Sequence, residues 1–176
     1  GRVALARRDV DATVAGFAEA ADRDAYRAMI TRFGARAAGI GGLLGAELHA
    51  GSSLRPALTL ARAARRTGLE EYARDAVTSG RSWMRARFAG PETDLLWAPW
   101  LLHAGLTPDA ASGGLMVPIF AATMHGAGLP VVAGGSGNFL AAWEMFLAEL
   151  GVTVHTGRSV ERIPVANGRA TGVAGD

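Results

Sequence analysis

Gly137-Asn138-Phe139-Leu140-Ala141-Ala142-Trp143-Glu144-Met145-Phe146-Leu147-Ala148-Glu149-Leu150-Gly151-Val152-Thr153-Val154-His155 changes its period once, and that change decides the fold class. Phe139, Leu140, Trp143, Phe146, Leu147 and Leu150 stand at i, i+1, i+4, i+7, i+8 and i+11, which is one broad apolar stripe of an α-helix. Gly151 is the residue type that ends helices in a left-handed turn. Beyond it Val152 and Val154 alternate with Thr153 and His155, the period of a strand. Asn167-Gly168, set between Ile163-Pro164-Val165 and Arg169 to Val173, then spells a type I′ hairpin. A helix, a strand and a hairpin, preceded by a helical first part, predict an α+β fold.

Upstream, helical spacing dominates. Asp22 is the expected N-cap of a helix carrying Tyr26, Met29, Ile30 and Phe33 on one face. Pro56 suits the first turn of another, whose tail of Arg62, Arg65 and Arg66 complements a helix C-terminus before Gly68 closes it. Leu69 to Phe88 reads as a further helix, with Tyr72, Val77 and Met84 among its apolar positions. Pro91, Pro99 and Pro108 are expected to divide the next stretch into short pieces. The organisation expected is a helical region over 1–130. A glycine loop, helix, strand and hairpin follow over 131–176.

With 176 residues, 49% apolar and 19% charged, the chain has the composition of a globular protein. No cysteine is present, so disulfides and thiolate metal sites are excluded. All 18 basic residues are arginine, yet the net charge is only +2, and nucleic acid is not an expected partner. The charge is uneven. Fifteen arginines precede Pro91 against nine acids, whereas Leu95 to Trp143 holds a single charged residue, Asp109. The second stretch is therefore expected to be buried or set against something apolar. It is not expected to span a membrane, because Pro118, Pro130 and several glycines interrupt it. The first residues are too charged for a secretory signal core, and a cytoplasmic location is expected. Both ends read as cuts in a longer chain.

Two glycine-rich stretches invite comparison with a dinucleotide loop, G-x-G-x-x-G after a strand. In Gly39-Ile40-Gly41-Gly42-Leu43-Leu44-Gly45 the third glycine position falls on Leu44, and the setting is helical. Close packing between helices is the better reading there. Val131-Val132-Ala133-Gly134-Gly135-Ser136-Gly137 opens a helix, although the last position of the motif is Leu140. Residues without Cβ let a flat ligand approach the backbone, and a helix start offers unused N–H groups. A plain tight turn is the alternative. His103 and His125 have no partner at metal-ligand spacing, so no metal is expected and solvated or packed histidines are the better reading. Arg62, Arg65, Arg66, Arg81, Arg85 and Arg87 read as solvated helix faces, with peripheral membrane contact as the alternative.

Pro130 to Gly137, the helix with Leu140, Glu149-Leu150-Gly151-Val152-Thr153-Val154, Ser159-Val160-Glu161-Arg162-Ile163 and Gly168-Arg169-Ala170-Thr171-Gly172-Val173 follow one another in an order that resembles a known family. They are similar to the phytoene-desaturase and amine-oxidase-related flavoproteins: a P-x-GG loop, a helix, a strand, a V-x-x-I strand and a short hairpin. Asp9-Val10-Asp11-Ala12-Thr13 and Asp22-Arg23-Asp24-Ala25-Tyr26 resemble the opening of that family's helical substrate domain more diffusely.

The resemblance implies a part of a FAD-dependent oxidoreductase that dehydrogenates or desaturates an apolar, carotenoid-like substrate. It implies a flavin ring against Gly134 and Gly135, and an adenine met by the main chain of Val160. The family's N-terminal G-x-G-x-x-G segment is missing from this sequence, so FAD is expected in the intact parent and not on this chain alone. Residues 131–176 would then belong to an incomplete FAD-binding domain, with the remainder of the parent chain as partner. Trp97, Trp100, Met116 and Phe120 are the candidates to line a tunnel for the lipophilic substrate, with ordinary core as the alternative. No residue stands out as a catalytic acid or base. A non-enzymatic helical binding module, or a membrane-surface module, is the rival reading.

Overall fold

The computed structural model describes residues 3–47 and 51–175; the side chains of Arg66 and Thr67 lie outside the described part. The fold is α+β, mainly helical with one short antiparallel hairpin. The chain divides into two compact units, Gly1–Leu129 and Pro130–Asp176.

The first unit holds α1 (Val10–Val14), α2 (Ala20–Gly34), α3 (Ala37–Leu44), α4 (Leu54–Val77), α5 (Gly80–Arg85), α6 (Glu92–His103) and α7 (Gly113–Ala127). Asp9 caps α1 by accepting a hydrogen bond from the Ala12 N–H at 2.7 Å. Ser79 caps α5 in the same way through Ser82. The core gathers Val14, Tyr26, Met84, Trp97, Leu101 and Val117, all essentially inaccessible to solvent.

Asp22 is not the cap expected of it. The N-cap of α2 is Glu19, without a side-chain bond, and Asp22 lies inside the first turn with 3% of its surface exposed. Its carboxylate accepts from the Gly90 N–H at 2.7 Å and from the Ala89 N–H at 3.0 and 3.1 Å. The loop ahead of α6 is thereby tied to the start of α2, where the helix dipole also favours an anion.

The glycines of α3 serve packing, as their spacing suggested. A Cβ on Gly39 would stand 2.7 Å from the backbone of Leu60, and one on Gly42 would stand 2.7 Å from Pro56, so α3 and α4 approach along a Gly39–Gly42 ridge. Gly68 does not end a helix. It is buried within α4, where a Cβ would meet the Arg36 guanidinium at 2.9 Å. The break in α4 comes at Arg65, whose φ of 57° and ψ of −177° interrupt the helical backbone. Leu69 to Phe88 is likewise divided, since α4 ends at Val77 and α5 begins at Gly80.

Pro99 and Pro118 do not divide their stretch, because each is carried inside a helix. Pro99 leaves the Leu95 carbonyl without its helical donor, and both residues lie on an exposed face where water can replace it. Where α5 and α7 cross, glycine meets glycine: a Cβ on Gly113 would collide with the Gly80 backbone. None of the described helices is long and apolar enough to cross a membrane.

The second unit holds α8 (Ser136–Glu149) and the hairpin of β1 (Val165–Ala166) and β2 (Arg169–Ala170). Gly151, at φ +71°, ends α8 as expected. The Val152 N–H reaches the Leu147 carbonyl at 2.9 Å and the Gly151 N–H reaches Ala148 at 3.0 Å, a Schellman closure. Asn167 and Gly168 carry φ of 51° and 75°, the pair of left-handed residues a type I′ turn requires. Val165 pairs with Ala170 and Ala166 with Arg169, while Arg162 bridges Ala174. The register between those pairings gains one residue on the second strand, opposite Pro164, which has no N–H to give to a ladder.

The strand expected at Val152 to Val154 is not formed. Those residues are exposed and make no ladder with any described segment, and alternation alone does not hold a strand without a neighbour. The stripe of α8 is exposed as well except at half-buried Leu147, and α8 has no buried residue. Phe139 stacks on Trp143 at 6.4 Å and Trp143 meets Phe146 at 5.6 Å, so the aromatics contact one another along the helix.

Two stability predictions follow from this packing. Gly39→Ala should cost ~1–3 kcal/mol by forcing α3 off α4, whereas Gly41→Ala, where a Cβ meets nothing within 4 Å, should gain about 0.5–1 kcal/mol from helix propensity. Asp22→Ala should cost roughly 2–4 kcal/mol, because it leaves two part-buried N–H groups unpaired. Urea melts of the variants check both.

Candidate functional site

The glycine loop of the second unit is built by a turn and a helix start. The Gly135 N–H bonds the Val132 carbonyl at 3.0 Å, and Gly134 and Gly135 take φ of +78° and +95°. Side chains are strained in that region, so both positions call for glycine. Asn138 fixes the turn from inside, its Nδ2 donating to the Ala133 carbonyl at 2.8 Å. A Cβ on Gly134 would collide with that amide, whereas one on Gly135 would meet nothing within 4 Å. The outer face of the turn is open. It leads directly into α8, whose first N–H groups have no intrahelical acceptor. Val160, further along, is also exposed.

In the first unit a cavity of ≈ 190 Å³ opens between α2, α4 and α7. Its apolar wall includes Met29, Phe33, Trp83, Leu115 and Ile119. Charged groups stand round it. Arg32 holds Glu71 at 2.8 Å, Arg36 reaches the same carboxylate at 3.6 Å, and Arg87 holds Asp75 at 3.1 Å. Two guanidinium groups also lie over rings, Arg36 at 5.1 Å from Tyr72 and Arg87 at 4.2 Å from Trp83.

The residues suggested for a substrate tunnel stand elsewhere. Trp97 is wholly buried against Tyr26, and Trp100, Met116 and Phe120 are partly buried against the same core. None of the four lines the cavity. α7 presents Leu115, Pro118 and Ile119 to the cavity instead. Sequence reasoning missed Arg32, Arg36 and Glu71 as a group, because the acid lies 39 residues beyond Arg32 and no local spacing links them.

Tyr26 and His125 form a part-buried polar contact. The His125 Nδ1 lies 2.7 Å from the Arg7 carbonyl and must donate to it, which leaves Nε2 of the neutral ring to accept from the Tyr26 hydroxyl at 2.9 Å. His125 is thus a packed histidine. Burial pushes the Tyr26 phenol well above its ordinary value of 10.0. The Trp97 indole opposes that shift in part. His103 packs against Trp100 at 5.5 Å, and among the described residues no cluster of His, Asp or Glu could hold a metal.

Among the described residues, two of the six arginines have acidic partners. Arg81 forks onto Asp109 at 2.7 and 3.2 Å, holding that carboxyl below its usual range, and Arg87 is engaged by Asp75. No family, curated protein or solved structure matches the chain.

The Tyr26 phenol has a pH consequence. Its folded-state pKa lies above the unfolded value, so the stability it contributes is full below pH 10.0 and is lost as pH rises beyond it. Tyr26→Phe should cost about 1 kcal/mol at neutral pH through the lost bond to His125. The gap to wild type should narrow above pH 10.0, as unfolding curves over that range will show.

Proposed function

We propose that the chain is part of a FAD-dependent oxidoreductase of the kind its Pro130–Val173 segment resembles, acting on an apolar substrate. The observation that carries this reading is the open face of the Gly134–Gly135 turn. Two consecutive residues without side chains, both at positive φ, leave bare backbone ahead of a helix N-terminus. A flat ring can lie on such a surface, and a Cβ at Gly135 would project into the space it needs. The residues present therefore fit a flavin at this edge. When bound, the flavin supplies the hydride acceptance that the side chains lack.

The contribution of this chain is then positional. Asn138 holds the turn in shape through Ala133, and the first N–H groups of α8 have no intrahelical acceptor. The main chain at Val160 would meet the adenine. The exposed stripe of α8 supports the same reading. Phe139, Trp143 and Phe146 are an apolar surface of the sort a domain buries, and the remainder of a parent chain is the partner proposed to cover it. A second reading, a helical binding module without flavin, draws on the cavity, which lies wholly within a unit that has its own core.

The product of the complete reading frame tests this directly. It should encode a strand–G-x-G-x-x-G–helix segment and retain flavin absorbance through gel filtration. Gly135→Val in that product should lower flavin occupancy at least tenfold. A colourless product, or one whose Gly135→Val variant keeps its flavin, removes the oxidoreductase reading and leaves the binding module.

A further inference from the structure

We infer that the cavity of the first unit is a binding site for a small organic monoanion, one ring or short branched chain carrying a single carboxylate. The inference needs no flavin and stands apart from the oxidoreductase reading. Size sets the apolar part. An engineered apolar cavity of about 150 Å³ takes benzene, so ≈ 190 Å³ holds one ring with a short arm. Drug-sized ligands need roughly 300–1,000 Å³, and a long polyene does not fit.

Charge sets the polar part. Arg32, Arg36 and Arg87 face Glu71 and Asp75, which leaves one positive charge in excess among the residues of the wall. Arg36 is the group that carries it. Glu71 is held closely by Arg32 at 2.8 Å and only at 3.6 Å by Arg36. The Arg36 side chain is 15% exposed, lies over Tyr72 and rests against Gly68, so it is held in place before any ligand arrives. A planar guanidinium so placed matches a carboxylate in two parallel hydrogen bonds. The two resident carboxylates would repel a dianion, which favours a carboxylate over a phosphate. The Trp83 ring lines the same cavity and gives a ligand ring an apolar wall.

The test is calorimetric titration of the chain with 3-phenylpropanoate, its neutral amide and phenyl phosphate. The carboxylate should bind at least about tenfold more tightly than the amide, as a charge-assisted hydrogen bond requires, and phenyl phosphate should bind more weakly than the carboxylate. Arg36→Met should remove that preference, so that carboxylate and amide bind alike. Should Arg36→Met fail to fold, Ala28→Leu, at an exposed position of the cavity wall, serves instead and should weaken both ligands. Absence of carboxylate binding, an amide that binds equally well, or a carboxylate preference that survives in folded Arg36→Met would overturn the inference. So would unchanged binding in Ala28→Leu.

Discussion

The first unit is organised round the ring of Tyr26. It stacks on Trp97 of α6 at 6.4 Å with planes 15° apart, takes the edge of Phe17 at 5.3 Å, and stands near Phe88 at 6.4 Å. Its hydroxyl reaches His125 of α7, which in turn holds the Arg7 carbonyl. One side chain therefore joins α2, α6, α7 and the N-terminal segment, through both apolar area and a directional bond. Aromatic pairs of this kind add ~0.5–1.5 kcal/mol beyond their area. Asp22, on the preceding turn of the same helix, fixes the loop that delivers α6. Together they set the positions of α2 and α7, between which the charged cavity opens.

The second unit lacks any comparable centre. The best-patterned helix of the sequence, α8, has no buried residue, and among the described residues those after Gly151 pair near the hairpin alone. A lone helix of this length is marginal in water, and a two-stranded hairpin is no better. The apolar stripe and the bare glycine turn make physical sense together as the inner face of a larger domain. That is why the flavoprotein proposal rests on this unit while the small-anion site rests on the other.

Legibility followed the range of the interactions. Gly151 and Asn167-Gly168 act through the local φ of one or two residues, and the structure puts them where the sequence did. The Gly39–Gly42 spacing was readable as packing because only helix contact requires bare positions on one face. Asp22 was misread as a cap because its true partners, Ala89 and Gly90, lie 67 and 68 residues away. Gly68 looked like a terminator, but the surface that requires it belongs to Arg36. In α6 and α7 apolar residues occur nearly all round, so composition identified buried helices without telling which side faces a cavity. Trp97 was chosen from the filled side. The group of Arg32, Arg36 and Glu71 had no signature at all, since it exists only once α2, α3 and α4 are assembled.

The claim on which the account turns is that residues 130–176 depend for their folding on a surface outside themselves. Amide hydrogen exchange on the purified chain measures it helix by helix. The account predicts strong protection in α2, α6 and α7, with exchange in α8 and the hairpin close to that of unstructured peptide. Protection of α8 equal to that of α7 would contradict it.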